Sequence, residues 1–96
     1  MSFDLGFVSA ALKEWRKLDA TTRDRFKKKL VERCENPRVP SAKLAGQKDR
    51  YKIKLRGVGY RLVYEVRDSE VLVVVVAIGS RERNAVYKKA DQREVP

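Results

Sequence analysis

In the stretch Tyr51-Lys52-Ile53-Lys54-Leu55-Arg56, charged and apolar residues alternate. In a half-buried strand that spacing sends Lys52, Lys54 and Arg56 to one side and Tyr51, Ile53 and Leu55 to the other. A second run, Tyr60 to Val66, follows a glycine-bearing turn. With Gly57-Val58 as a two-residue hairpin loop and Gly57 at the positive φ of a type II′ turn, Leu55 pairs with Tyr60, Ile53 with Leu62 and Lys54 with Arg61. A slip of one residue would set Lys54 against Leu62, so the pattern selects this register. Like charges directly opposite on a sheet destabilise it. A chain that keeps Lys52, Lys54 and Arg61 on one face is therefore holding them for an anion. The two lysines lie roughly 7 Å apart on that face. Crowding by Arg56, Arg61 and one another should lower their pKa values and make a neutral lysine base available near neutral pH.

Other chemistries are excluded by composition. The 96 residues contain no histidine and one cysteine, Cys34, which can close neither an internal disulfide nor a zinc site. Its neighbours put it on the apolar side of a helix, as a structural residue. Any catalysis must use Lys, Arg, Tyr or carboxylates, and neither metal nor cofactor is expected. The length suits one domain, residues 1–96. A net charge of +10 points to nucleic acid, a membrane surface or an acidic protein partner. No apolar run reaches the roughly 18 residues a spanning helix needs. The N-terminus lacks the order of a signal peptide, so the cytoplasm is the default location.

Several elements must position the cationic face. The run Val71 to Ile78 is apolar throughout, as in a central strand covered on both faces. A break over Arg67 to Glu70 returns it antiparallel to the second strand, pairing Val66 with Val71 and Arg61 with Val76. Gly79-Ser80-Arg81 then leaves the sheet near Lys54 and Arg61. Met1 to Phe7 reads as a short edge strand with Phe3, Leu5 and Phe7 on one face. Ser9 is placed to N-cap a helix with Ala11, Leu12, Trp15 and Leu18 along one side and Lys13, Arg16 and Lys17 along the other.

Asp19 to Thr22 breaks that helix, and Thr21 with Asp24 has the form of a capping box for a second. The second helix buries Phe26, Leu30, Val31 and Cys34 until Asn36-Pro37 ends it. Its outer face carries Arg23, Arg25, Lys27, Lys28, Lys29 and Arg33, either a solvated surface or, as the net charge argues, a phosphate-binding one. The loop from Pro37 to Arg50 is anchored by Leu44, and its Lys43, Lys48 and Arg50 extend the basic surface. Residues 81–92 suggest a short terminal helix with Val86 and Ala90 inward. The class is α+β: an N-terminal helical hairpin packed on a small, mainly antiparallel sheet, with a short C-terminal helix.

Nearly the whole chain resembles the RelE toxins of the RelE/ParE superfamily, whose fold is like that of microbial ribonucleases. The resemblance runs through Ala11-Leu12-Lys13-Glu14-Trp15-Arg16-Lys17-Leu18, Lys27-Lys28-Lys29-Leu30-Val31-Glu32, Asn36-Pro37-Arg38 and Lys43-Leu44. It continues through Tyr51 to Arg56, Gly59-Tyr60-Arg61-Leu62-Val63-Tyr64, Gly79, Arg81-Glu82-Arg83 and Val86-Tyr87. The paired lysines, Arg61, Arg81 and Tyr87 mark the ribonuclease branch. The chain departs from the family pattern in its turn, Gly57-Val58, and in residues 92–96.

The resemblance implies an endoribonuclease that enters the ribosomal A site and cuts the mRNA codon there. It also implies a RelB-like antitoxin that wraps the toxin, displaces its C-terminal helix and with it represses the operon, so operator DNA is met only through that complex. The catalytic set would be Lys52, Lys54, Arg61, Arg81 and Tyr87. Lys13, Arg16, Lys17, Arg23, Lys27, Lys28, Arg33, Lys43, Arg56 and Arg83 would contact mRNA or 16S rRNA. Without metal or histidine, cleavage needs attack by the 2′-hydroxyl on the adjacent phosphate. Lys54 is then the base with Lys52 as electrostatic support, and Arg61 holds the non-bridging oxygens. Arg81 stands on the leaving-group side, and Tyr87 stacks on a base or orients the 2′-hydroxyl. Two competing readings use the same fold: a ParE-type inhibitor of DNA gyrase, and a non-catalytic RNA-binding module. No helix combines a basic side with a large aromatic side, which argues against a membrane surface.

Overall fold

Leu72–Ser80 forms the strand on which the other elements are assembled, and its unbroken apolar character has a direct cause. In the computed structural model, which describes residues 2–46, 49–80, 82 and 85–95, it lies inside a four-stranded sheet with both faces covered. The strands are β1 (Asp4–Phe7), β2 (Arg50–Leu55), β3 (Tyr60–Arg67) and β4 (Leu72–Ser80), in the order β1-β4-β3-β2. β1 runs parallel to β4, and the other pairs are antiparallel. Helices α1 (Ser9–Lys17) and α2 (Ala20–Glu35) cover one face, burying Ala11, Phe26 and Leu30 against Ile53, Leu62, Tyr64 and Val75. Helix α3 (Ala85–Gln92) covers part of the other, setting Val86 and Ala90 on Val63, Val76 and Ala77. Each valine, leucine or phenylalanine buried in these layers contributes about 1.5–3 kcal/mol.

The β2/β3 register is the one read from alternation: Leu55 with Tyr60, Ile53 with Leu62, Lys54 with Arg61. The turn is longer than two residues. Pairing stops at Leu55 and Tyr60, and Arg56 to Gly59 close the hairpin with positive φ at Gly57 (91°) and Gly59 (68°). A side chain at either position would strain the backbone.

The β3/β4 register differs from the expectation. Val66 pairs with Val73 rather than Val71, and Arg61 with Gly79 rather than Val76. Two features account for the shift. Arg67 stays in the strand opposite Leu72, and the return is made by a 3-10 turn over Asp68–Glu70 with Val71 left-handed at φ 50°. Farther along, Tyr64 faces Val75 while Val63 faces Ala77, so Val76 is the extra residue of a β-bulge. The bulge sends two successive residues, Val76 and Ala77, to the α3 side.

Helix boundaries also move. Val8, not Ser9, is the N-cap of α1, with no side-chain cap bond. The break before α2 shrinks to Leu18-Asp19, because the Asp19 carboxylate accepts the Thr22 N–H at 3.3 Å; Thr21 lies inside the helix. The buried row is Thr22, Phe26, Leu30 and Cys34, whereas Val31, one residue round the helix, is 60% exposed. Leu5 also remains exposed at the sheet edge.

Two ionic clamps hold the C-terminal segment. β1 pairs with β4 only as far as Val75, leaving the rest of that edge open. There Glu14 of α1 accepts the Ile78 N–H at 3.1 Å and binds both Lys89 and Arg93. Lys89 in turn donates to the Ile78 carbonyl and Arg93 to the Val76 carbonyl. Burial pushes the Glu14 carboxyl up, but the bonds from Arg93, Lys89 and the Ile78 N–H outweigh it and hold its pKa below the usual value. In the second clamp Arg50 is buried, pairing with Glu65 at 3.0 Å and donating to the carbonyls of Ala90 and Arg93. Arg67 bridges Glu65 and the Val95 carbonyl. Arg50 is thus interior and does not extend the basic surface. Lys48 lies outside the described residues.

Candidate active site

Alternation along β2 and β3 puts Lys52, Lys54 and Arg61 on the α3 side of the sheet, with Lys54 and Arg61 directly paired. Tyr87 comes to the same place from α3. The Arg61 guanidinium donates to the Tyr87 hydroxyl at 2.9 Å and lies 5.5 Å from the centre of its ring. One end of the planar fork is thereby fixed by a hydrogen bond and a cation–π contact. Gly79 leaves room for the Lys89 side chain of α3. A Cβ there would stand 3.1 Å from the Lys89 Nζ and 3.6 Å from the Val86 Cβ.

Lys54 is exposed, and the neighbouring charges of Lys52 and Arg61 hold its pKa below that of an ordinary lysine. Lys52 is half-buried. A phosphate held between these amines and the guanidinium would meet three cations with no carboxylate in an ion pair with any of them among the described residues. Such an arrangement stabilises negative charge accumulating on phosphorus and can supply a neutral amine as base. The backbone at Gly79 and Ser80 pairs with Arg61 and Tyr60, so the chain leaves β4 beside the cations as expected. Arg81 and Arg83 lie outside the described residues. Among the described residues no group of three or more His, Cys, Asp or Glu side chains is arranged to hold a metal ion.

The wider basic set divides. Lys13, Arg16 and Lys17 are exposed on α1, and Lys27 and Lys28 on α2, both helices lying across the opposite face from Lys54; Arg23 is partly covered and Arg56 is exposed in the hairpin turn. Lys43 pairs with Asp49 at 3.5 Å and lies over the Tyr51 ring. Arg33 turns inward instead of outward, donating to the Lys52 carbonyl at 3.1 Å and the Tyr64 hydroxyl at 2.9 Å. It fastens α2 to β2 under the site. Sequence reasoning missed the room that Gly79 leaves for Lys89, the Glu14 hub and the bond from Arg61 to Tyr87. The only local signal was the i,i+4 repeat of Lys89 and Arg93 on one side of the last helix.

Known proteins match the chain over most of its length. The family described as ParE toxin of type II toxin-antitoxin system, parDE, matches residues 7–85. The chain is 55% identical over 93 residues to the mRNA interferase toxin RelE of Escherichia coli strain K12, covering 97% of this chain and 98% of that protein. It superimposes with a TM-score of 0.90 on an arginine-to-alanine double mutant of the E. coli RelE toxin in the free state, at 52% identity and over 99% of this chain and 100% of that one. The toxin in the intact E. coli RelBE toxin-antitoxin complex gives a TM-score of 0.82 at 55% identity, over 85% of this chain and 100% of that one.

Proposed function

This chain belongs to the ParE/RelE toxin family of type II toxin–antitoxin systems, and we propose that it is a metal-independent endoribonuclease, an mRNA interferase that cuts mRNA in the ribosomal A site. The observation that carries this reading is the convergence of Lys52, Lys54, Arg61 and Tyr87 on one face, with Lys54 depressed in pKa and Arg61 held by the Tyr87 hydroxyl.

Neutral Lys54 takes the proton of the 2′-hydroxyl. The 2′-oxygen attacks the adjacent phosphorus, the bond to the 5′-oxygen breaks, and a 2′,3′-cyclic phosphate and a 5′-hydroxyl result. Arg61 binds the non-bridging oxygens through the N–H groups that Tyr87 leaves open, and Lys52 adds positive charge. Arg81 meets the charge on the departing 5′-oxygen, which takes up a proton from water. An arginine above about 12 in pKa is suited to stabilising that charge rather than to donating the proton. Tyr87 offers its ring to a base and its hydroxyl to Arg61.

A site without histidine depends on the RNA being posed for it, which the ribosome does in the A site. The chain works as one toxin domain in the cytoplasm. Its partners are mRNA, 16S rRNA and a RelB-like antitoxin, through which it meets operator DNA. No helix among the described residues is long and apolar enough to cross a membrane.

Primer extension on mRNA held in ribosomes with an empty A site tests the reading. Cuts inside the A-site codon should vanish with Arg61→Ala and with Arg81→Ala. Intact mRNA with folded, ribosome-bound wild-type protein would remove the enzyme and leave the gyrase-directed reading to be tried.

A further inference from the structure

Along α2, Arg25, Lys29 and Arg33 recur every fourth residue and stand in one row. The outer two grip the free edge of β2 and the turn that follows it. Arg25 donates to the Arg56 carbonyl at 2.9 Å and Arg33 to the Lys52 carbonyl at 3.1 Å. Eight residues of helix rise about 12 Å, and four residues of extended chain reach about 13 Å. The two spans are alike in length, and Lys29 and Lys54 line the same space between them.

Between the two clamps the helix and strand leave an open groove of about 400 Å³, lined by Arg25, Lys28, Lys29, Lys54 and Arg56 with one carboxylate, Glu32. Among the described residues none of these six forms an ion pair. Five cations this close repel one another unless an anion lies among them. Glu32 sits toward the Arg33 end, which confines a phosphate to the Arg25 end and offers an acceptor to a 2′-hydroxyl or base amine. Lys54 lines the groove and also belongs to the site across the sheet, so the two are neighbours around one strand edge.

We propose that this groove binds a phosphodiester of the single-stranded RNA substrate next along the chain from the one cleaved, with Lys28 and Lys29 as its binding residues. The proposal rests on the reading of the chain as an RNA-cleaving enzyme and adds the path by which the strand leaves the site: around the outer edge of β2, over Lys54 and Arg56, onto α2. Binding here would hold the strand on both sides of the edge and resist slippage at the scissile phosphate.

The test uses a single-stranded RNA made uncleavable by a 2′-deoxy nucleotide, and a shortened version that keeps the central phosphate and lacks its neighbours. Binding of both is measured across a salt series. For the wild type, shortening should weaken binding on the order of ten-fold and flatten the plot of log affinity against log salt by about 0.7 for each phosphate the protein no longer neutralises. The Lys28→Ala/Lys29→Ala variant should bind the long RNA as the wild type binds the short one, with no further loss on shortening. Glu32→Gln should tighten the long RNA alone. Alanine favours helix and both lysines are exposed, so an unchanged thermal midpoint is expected.

An equal response of wild type and lysine variant to shortening overturns the subsite, as does a wild type that binds neither RNA at low salt. A variant that binds RNA normally but loses an acidic peptide also overturns it, assigning the groove to a protein partner. If the wild type shows the length-dependent loss yet leaves ribosome-held mRNA intact, the nuclease reading fails and the RNA groove stands. If it cuts mRNA and the lysine variant still responds to shortening, the nuclease stands and the groove fails.

Discussion

Two cationic regions lie on the α3 side of one sheet and are built in opposite ways. At the C-terminal clamps Arg50, Arg67, Lys89 and Arg93 each meet a carboxylate, and each also donates to a main-chain carbonyl or a second acid. At the hairpin Lys52, Lys54 and Arg61 face one another, and the hydroxyl of Tyr87 is the one side-chain partner among the described residues that hydrogen-bonds to Arg61. The first arrangement lowers the energy of the folded chain. The second raises it and is relieved when an anion binds. Neutralisation therefore separates the cations that hold the fold from those available to a substrate.

The sharpest test of that division is Arg50→Ala. It removes the nearer of the two cations on the buried Glu65 carboxylate, leaving Arg67 at 3.3 Å, and should cost up to about 3–5 kcal/mol of stability, read from urea denaturation. Arg61→Ala should do the reverse, leaving the denaturation midpoint unchanged or slightly raised while cleavage falls about 10²–10³-fold. Comparable stability losses in both variants would erase the distinction.

A pH series resolves the clamp side further. The folded Glu14 carboxyl has a depressed pKa, so its stabilisation is complete above its ordinary value of 4.5 and disappears as pH falls through the lower folded one. Glu14→Gln should flatten the loss of stability below that pH, and a wild-type curve already flat there would deny the hub its role. On the hairpin side, the cleavage rate should climb with pH as Lys54 loses its proton, with an inflection below the ordinary lysine value of 10.5. Lys52→Gln removes the larger of the charges that depress it, so the inflection should move to higher pH. The smallest effect is expected from Tyr87→Phe. It keeps the ring and loses one hydrogen bond, for a cost of about 0.5–1.5 kcal/mol in transition-state stabilisation, seen as a fall in cleavage of about ten-fold or less.

Legibility along the chain followed the information each segment carried. Alternation in β2 and β3 specified their register and hence the pairing of Lys54 with Arg61, because a slip would bury a charge. β4 is apolar at nearly every position, so several registers bury it equally well, and the bulge at Val76 left no mark in the residue pattern. Arg33 and Arg50 read as surface cations because their inward partners are carbonyls and a carboxylate supplied by other elements. Val31 read as core because a helix stripe drawn from apolar residues alone ignores Thr22, which occupies the buried row.

Composition and local pattern were sufficient for a cationic face that awaits an anion, and the family resemblance supplied the ribonuclease class. The lack of histidine, the net charge of +10, the paired lysines and the glycines of the hairpin are properties of the chain or of a few neighbouring residues, which fold into the same local geometry whatever surrounds them. Which of the 23 lysines and arginines would be neutralised was decided by packing. Glu14 and Lys89 meet although they are 75 residues apart, and Arg50 reaches Ala90 across 40. Electrostatic attraction between exposed groups fades beyond about 8–10 Å. Partnership therefore depends on distances in space, which only the folded sheet and its three helices establish.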